Sequence, residues 1–112
     1  MSEHKNKTVI PRLSHLQFAV LEVLGTSAKR GKDLRKSLSG LGIKKSGPAF
    51  YQMMARLEEA KFVEGWYEQQ IIDGQIIKER HYRITGNGIN AFNETRKFYS
   101  RPVQMAGMPA FA

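Results

Sequence analysis

The first helix is predicted from apolar residues that recur at intervals of three and four. Ser14, followed three residues later by Gln17, forms a capping box at its start. Gly25 can adopt the left-handed backbone conformation that ends a helix. The apolar face between the two ends consists of Leu16, Ala19, Val20, Val23 and Leu24.

A second, short helix is predicted from Lys29 to Ser39, and a third from Ser46 to about residue 61. Leu34, Leu38 and Leu41 mark the buried side of the second helix, which the glycines of segment 39–42 bring to an end. In the third helix Ser46 is the N-cap and Pro48 lies in the first turn, where a missing N–H costs nothing. Its apolar stripe consists of Phe50, Met54, Leu57 and Ala60.

After the third helix the pattern changes to two runs rich in β-branched and aromatic residues, 62–72 and 75–85. Asp73-Gly74 between them predicts a two-residue β-hairpin, because a type I′ turn needs positive φ at both central positions. The register that follows pairs Ile72 with Gln75, Val63 with Ile84, Gly65 with Tyr82 and Tyr67 with Arg80. It also places Glu68 opposite Glu79, so the hairpin is expected either to contain a bulge or to have a solvated, loosely held tip.

A last helix is predicted from Gly86 to Tyr99, with Thr85 as its cap and Gly86 and Gly88 weakening its first turn. The chain is therefore divided into a flexible basic arm (1–12), a folded domain (13–85), a last helix (86–99) and a flexible tail (100–112). The fold class is mostly α with a β-hairpin, α+β, in the order α-α-α-β-β-α. This order is typical of the winged helix-turn-helix, in which the third helix enters the major groove of DNA.

The net positive charge of the chain and its clustering favour a polyanionic partner. The chain has 112 residues and a net charge of +8, and residues 1–62 carry 12 basic and 5 acidic side chains. Clustering of this kind favours nucleic-acid binding over a general solubility charge. Cysteine is absent, and no apolar run is long enough for a signal peptide or a membrane span, so a cytoplasmic protein without membrane contact is expected.

Three segments resemble PadR-family transcriptional regulators over residues 13–99. Leu13-Ser-His-Leu-Gln-Phe-Ala-Val-Leu-Glu-Val-Leu is similar to the family's first helix. The segment from Ser46, with Tyr51 and the Arg-Leu-Glu-Glu stretch at 56–59, resembles its recognition helix. Lys78-Glu-Arg-His-Tyr-Arg-Ile-Thr-Gly-Asn-Gly resembles its second wing strand, (Lys/Arg)-Tyr-Tyr-Arg-Leu-Thr-Pro-x-Gly. Gln52, His81 and Gly86 depart from the family's proline, tyrosine and proline at these positions.

The resemblance implies a homodimeric repressor that binds double-stranded DNA, with residues 13–85 as its winged-helix DNA-binding domain. It also implies that the last helix, 86–99, is a dimerisation helix that pairs with its counterpart and with the first helix. The residues expected at DNA are Lys29, Arg30, Lys32, Lys44, Lys45, Ser46, Tyr51, Gln52, Arg56, Lys78 and Arg80. Those expected at the dimer interface are Leu16, Val20, Ile89, Phe92, Arg96 and Tyr99. In some PadR-like proteins a flat aromatic ligand lies near that interface. Here Ile89, Phe92, Phe98 and Tyr99 would line such a small-effector cavity, although a dimer seam explains them equally well.

Catalysis has little support in the sequence. His4, His15 and His81 have neither ligand spacing nor a neighbouring carboxylate pair, so we expect no enzyme, no metal and no cofactor. Two alternatives to a sequence-specific regulator remain: a winged-helix module that binds protein, and a non-specific nucleic-acid binder. Salt-dependent duplex binding separates the first alternative from DNA binding, and comparison of operator with random DNA separates the second.

Overall fold

The computed structural model describes residues 10–102, which form four helices and a three-stranded antiparallel sheet. In chain order the elements are α1 (His15–Leu24), β1 (Lys29–Arg30), α2 (Gly31–Gly40), α3 (Gly47–Glu59), β2 (Val63–Ile72), β3 (Gln75–Ile84) and α4 (Gly86–Ser100). The predicted α+β winged-helix fold is confirmed, with one additional strand. The predicted arm and tail lie outside the described residues except for 10–12 and 100–102.

Side-chain caps begin three of the four helices where the sequence predicts them. The Ser14 hydroxyl accepts from the Gln17 amide at 3.1 Å, and the Gln17 side chain accepts from the Ser14 amide at 3.0 Å, which completes the capping box. Ser46 caps α3 through the amide of Ala49, and Thr85 caps α4 through the amide of Gly88. Local sequence therefore fixes where these helices start.

The β2–β3 hairpin, called the wing below, has the predicted register without a bulge. Asp73 and Gly74 at its turn both have positive φ, 51° and 79°. Glu68 does face Glu79, but each carboxylate has its own donor. Glu68 accepts from the Trp66 indole N–H at 3.0 Å, and Glu79 lies 3.2 Å from a guanidinium nitrogen of Arg30. The like-charge pair is therefore compensated on both strands.

The wing is buried only at its base. Val63 and Tyr82 are buried there, whereas Ile71 and Ile76 near the tip are 76% and 67% exposed. Burial therefore cannot set the register at the tip, and the Asp73-Gly74 turn does so instead.

The core lies among the first three helices, the base of the wing and one face of α4. It consists of Leu13, Val20, Leu21, Leu24, Leu34, Leu38, Phe50, Met54, Leu57, Phe62, Val63, Tyr82 and Ala91. The predicted stripes are mostly confirmed, but Leu41 is 67% exposed and the α3 cap Ala60 is also exposed. Both lie where their helix has ended, so helical spacing no longer directs them inward. Ile43 packs against the core in place of Leu41.

The predicted helix over Lys29–Ser39 is wrong at its first two residues. Lys29 and Arg30 form β1, which pairs with Tyr82 and His81 of β3 and gives the sheet order β1-β3-β2. α2 then begins at Gly31, with Arg30 as a cap residue that makes no side-chain capping bond. A two-residue strand has no periodicity, so only the pairing with β3 reveals it.

Residues 10–12 of the predicted flexible arm include one side chain that is anchored to the domain. The Arg12 guanidinium donates to Glu94 of α4 at 3.1 Å and lies over the Phe62 ring. The contacts join the residues just before α1 to α4 and to the loop that leads into the wing.

Candidate nucleic-acid interface

The outer face of α3 carries polar and aromatic side chains. Phe50, Met54 and Leu57 turn toward the core, which leaves the opposite face to solvent. Tyr51, Gln52 and Arg56 are all exposed on the outward side. Gln52 and Arg56 are four residues apart, so they lie one above the other along the helix. An exposed helical face of this composition can present hydrogen-bonding groups to a groove of DNA.

A basic cleft lies beside the start of α3. It has a volume of about 410 Å³ and lies between α2 and the α2–α3 loop. Its lining consists of Lys32, Arg35, Lys36, Ser39, Lys44, Lys45 and Tyr51. The N-terminal end of α3 adds its own partial positive charge. The cleft therefore concentrates positive potential beside the exposed helical face.

Arg35 and Lys36 also line this cleft, as the basic side of the second helix in the sequence leads one to expect. Arg35 also has a structural contact, because its Nε donates to the Lys45 carbonyl oxygen at 3.0 Å and so holds the loop before α3 against α2. The signal was present in the sequence: Lys32, Arg35 and Lys36 are spaced by three and four, which places them on one side of a helix.

A second groove, of about 250 Å³, separates α1 from α3. Lys45, Gln52 and Arg56 line it together with Ser14 and Gln17 from the start of α1. Three of the predicted DNA-binding residues therefore share one groove.

Besides the cap Ser46, four of the predicted DNA-binding residues are engaged within the chain. The Lys32 ammonium lies 3.5 Å from a carboxylate oxygen of Glu79. Lys29 donates through Nζ to the Leu24 carbonyl at 2.8 Å, at the end of α1. Arg30 binds Asp33 through two hydrogen bonds, of 2.7 Å and 3.1 Å. The hydrogen bond from Arg30 keeps the pKa of Asp33 below its ordinary value, although burial opposes the shift. Arg80 forms an ion pair of 2.7 Å with Glu58 of α3.

A larger cleft of about 690 Å³ lies between α3 and the wing, with Tyr51, Tyr67, Tyr82, Lys32 and Lys78 among its lining residues. Burial is the main cause that raises the pKa of Tyr82 to about 12, so this phenol stays neutral. Lys78 is exposed on the wing side of this cleft. The cleft therefore connects the outer face of α3 with the basic part of the wing.

Comparison with known proteins identifies the architecture. No protein-family model matches the sequence, and no curated protein matches it either. A solved structure of a PadR-family transcriptional regulator from Eggerthella lenta does match, with 26% sequence identity and a TM-score of 0.58 over 73% of this chain and 69% of that chain.

The chain is therefore similar to a PadR-family transcriptional regulator.

A second solved structure, of Bacillus subtilis PadR in complex with operator DNA, shares the fold. Its TM-score is 0.59 at 17% identity, over 88% of this chain and 54% of that chain. Both neighbours agree with the predicted winged-helix class, and PadR-type regulators are not enzymes. Among residues 10–102 there is no group of three potential metal-binding side chains, and no helix is long and apolar enough to cross a membrane.

The predicted dimer residues of the PadR-like chain differ in exposure. Val20 has no exposed surface and packs within the chain's own core, so its prediction as an interface residue is wrong. Phe92 is half-buried and stacks on Phe18 with ring centroids 4.7 Å apart. Ile89 and Tyr99 are 39% and 50% exposed. The free surface of α4 therefore lies at Ile89 and Tyr99 rather than at Phe92.

The remaining predicted interface residues flank this surface. Leu16 of α1 is partly buried against the core, Arg96 is exposed and donates to Asn93 at 3.3 Å, and His15 meets Tyr99 edge to face at 4.9 Å. α1 and α4 thus pack together within the chain and expose a joint surface.

Proposed function

We propose that this protein is a transcriptional regulator that binds specific duplex DNA as a homodimer, places α3 in the major groove, and represses transcription by blocking access to the promoter. The observation that carries the proposal is the exposure of Tyr51, Gln52 and Arg56 on the outer side of α3, flanked by basic side chains. Tyr51 lines the lysine-rich cleft beside α2, and Gln52 and Arg56 line the groove beside α1 together with Lys45. The resemblance to a PadR structure with operator DNA supports the same assignment.

Each exposed residue has a role set by its chemistry. Gln52 can make a bidentate contact with adenine, and Arg56 can contact guanine or a phosphate. Lys32, Lys44, Lys45 and Lys78 are placed to neutralise phosphates. Ser46 serves chiefly as the α3 cap, and the Tyr51 hydroxyl can reach a phosphate. Lys29 and Arg30 are left at the edge of this surface by their internal contacts. The small aromatic effector stays a prediction.

Selection of bound sequences from a random duplex pool tests the proposal. We expect enrichment of a near-palindromic site with half-sites about 10 base pairs apart, or a multiple of that spacing, because two copies of α3 must reach successive major grooves. A pool that is bound without enrichment would identify a non-specific binder. Failure to bind any duplex at low salt would instead support the protein-interaction module.

Arg56→Ala should weaken DNA binding by the dimer by roughly 30-fold or more, because it removes one exposed base or phosphate contact from each protomer. The helical circular-dichroism signal should not change, since Arg56 is exposed. Lys97→Ala is the control: it removes the same charge from an exposed position in the last turn of α4. Equal losses in the two variants would show that only net charge matters.

Ile89→Asp should convert the dimer to monomers, because it places a charge in the exposed apolar surface of α4. Sedimentation velocity measures the change. Asn90→Asp is the matched control, since it adds the same charge to the neighbouring exposed position. Phe92 is unsuitable for this test because its stacking on Phe18 also supports the monomer. An Ile89→Asp variant that sediments as a dimer would contradict the proposed interface.

A further inference from the structure

The Arg80–Glu58 ion pair joins the wing to α3 at a half-buried position. Arg80 Nη2 lies 2.7 Å from Glu58 Oε1, and the two side chains are only 24% and 26% exposed. The guanidinium also lies 4.8 Å from the centre of the Tyr67 ring and 5.7 Å from that of Tyr82. Two aromatic rings and one carboxylate therefore fix its position.

Gly65 of β2 provides the space that this pair occupies. A Cβ atom at Gly65 would lie 2.9 Å from Arg80 Nη2 and 3.0 Å from the Glu58 carboxyl carbon. Atoms this close would have to move apart, so any larger residue at position 65 displaces the ion pair. Glu58, Gly65 and Arg80 therefore form one packed unit across α3, β2 and β3.

We propose that this unit, the Glu58–Gly65–Arg80 strut, is a positioning device that sets the angle of the wing relative to α3. Arg80 thereby acts through the wing, not as a phosphate contact. The wing needs such support because its outer half is exposed on both faces. Separate contacts to Glu79, from Arg30 of β1 and from Lys32 of α2, join the wing to these two elements rather than to α3. The DNA-binding test of the strut rests on the proposed function.

Substitution of Glu58 tests this proposal through the direction in which duplex affinity changes. It is an acidic residue close to a surface proposed to bind DNA, so electrostatics alone predicts that its removal leaves duplex affinity unchanged or raises it. The strut predicts a decrease, because the wing loses its orientation. The two explanations therefore differ in the direction of the effect.

The experiment compares duplex affinity for Glu58→Ala, Glu58→Gln and Glu59→Ala. We expect Glu58→Ala to lower duplex affinity by roughly tenfold or more, as for the loss of a hydrogen bond between charged groups. Glu58→Gln should lose less, because its amide oxygen still accepts from Arg80. Glu59→Ala removes the same charge from the exposed neighbouring position and should show no loss. Adding Glu58→Ala to an Arg80→Ala variant should change duplex affinity little further, because the first substitution has already removed the ion pair.

Amide hydrogen exchange in the DNA-free protein tests the strut independently of the proposed function. Wing amides of residues 66–81 should exchange roughly fivefold faster in Glu58→Ala than in Glu59→Ala. If the wild-type protein binds no duplex, the proposed function fails and exchange alone decides the strut. Equal exchange rates in the two variants, or equal affinities of the Ala and Gln variants at or above wild type, would overturn it.

Discussion

Gly88→Ala is expected to destabilise the protein by about 3 kcal/mol or more, at the upper end of the range for overpacked sites. A Cβ at position 88 would lie 2.1 Å from the carbonyl oxygen of Phe62 and 2.8 Å from Ile84 Cγ1. The oxygen cannot turn aside freely, because it accepts a hydrogen bond from the Thr85 amide at 3.0 Å. One methyl group therefore pushes α4 away from the loop before the wing.

The start of α4 is tied to that loop by further contacts. The Thr85 hydroxyl donates to the Lys61 carbonyl at 2.6 Å and accepts from the Gly88 amide at 3.0 Å. Asn87 donates to the Ala60 carbonyl at 3.5 Å. Separation at Gly88 would therefore strain several bonds together, which makes partial relaxation costly.

Thermal unfolding followed by circular dichroism measures the effect of Gly88→Ala. A loss of 3 kcal/mol corresponds to a fall in Tm of roughly 12–24 °C for a domain of this size. Gly86→Ala is the matched control, because no atom lies within 4 Å of its added Cβ. It should leave Tm unchanged or raise it slightly, since alanine favours the helix. Similar Tm values for the two variants would refute the close contact at Gly88.

Lys44→Ala/Lys45→Ala is expected to lower duplex affinity by two or more orders of magnitude at physiological salt. Each phosphate contact releases counterions and contributes about 0.9 to the slope of log affinity against log salt concentration. A homodimer that loses two contacts per protomer should therefore lose about 3–4 units of slope. Stability should be preserved, because the Arg35 contact in this loop is made to the backbone carbonyl of Lys45.

Binding titrations at several salt concentrations measure this slope. Lys97→Ala/Arg101→Ala is the control, since it removes two exposed positive charges from the end of α4 and from the residue just after it. We expect a small fall in affinity and an almost unchanged slope for the control. A double lysine variant with the wild-type slope would show that the cleft does not bind phosphate.

The local elements of this protein are encoded in short stretches of sequence. Ser14 with Gln17, Ser46 and Thr85 set the helix starts through bonds to amides three residues away. Asp73-Gly74 fixes the wing register because both residues adopt positive φ. Such interactions span only a few residues, so their pattern is visible before the chain folds. The winged-helix class follows from the order of these elements.

The interface was predicted less completely, because charge type does not reveal a partner that is distant in sequence. Arg80 and Lys78 alternate on β3, yet Arg80 binds Glu58, 22 residues away, while Lys78 is exposed. Val20 shares a helical face with Leu16, but the packing of the other elements encloses it completely. These differences depend on which elements meet.

The sequence by itself determined the helices, the hairpin with its register, and the basic character of the first half of the chain, since each depends on neighbouring residues or on composition. Only the tertiary structure decided that β1 pairs with β3, that Gly88 must remain without a side chain, and that Arg80 binds Glu58. These features require atoms from segments far apart in the chain to come within a few ångströms of one another. Local sequence does not specify which distant segments make such contacts.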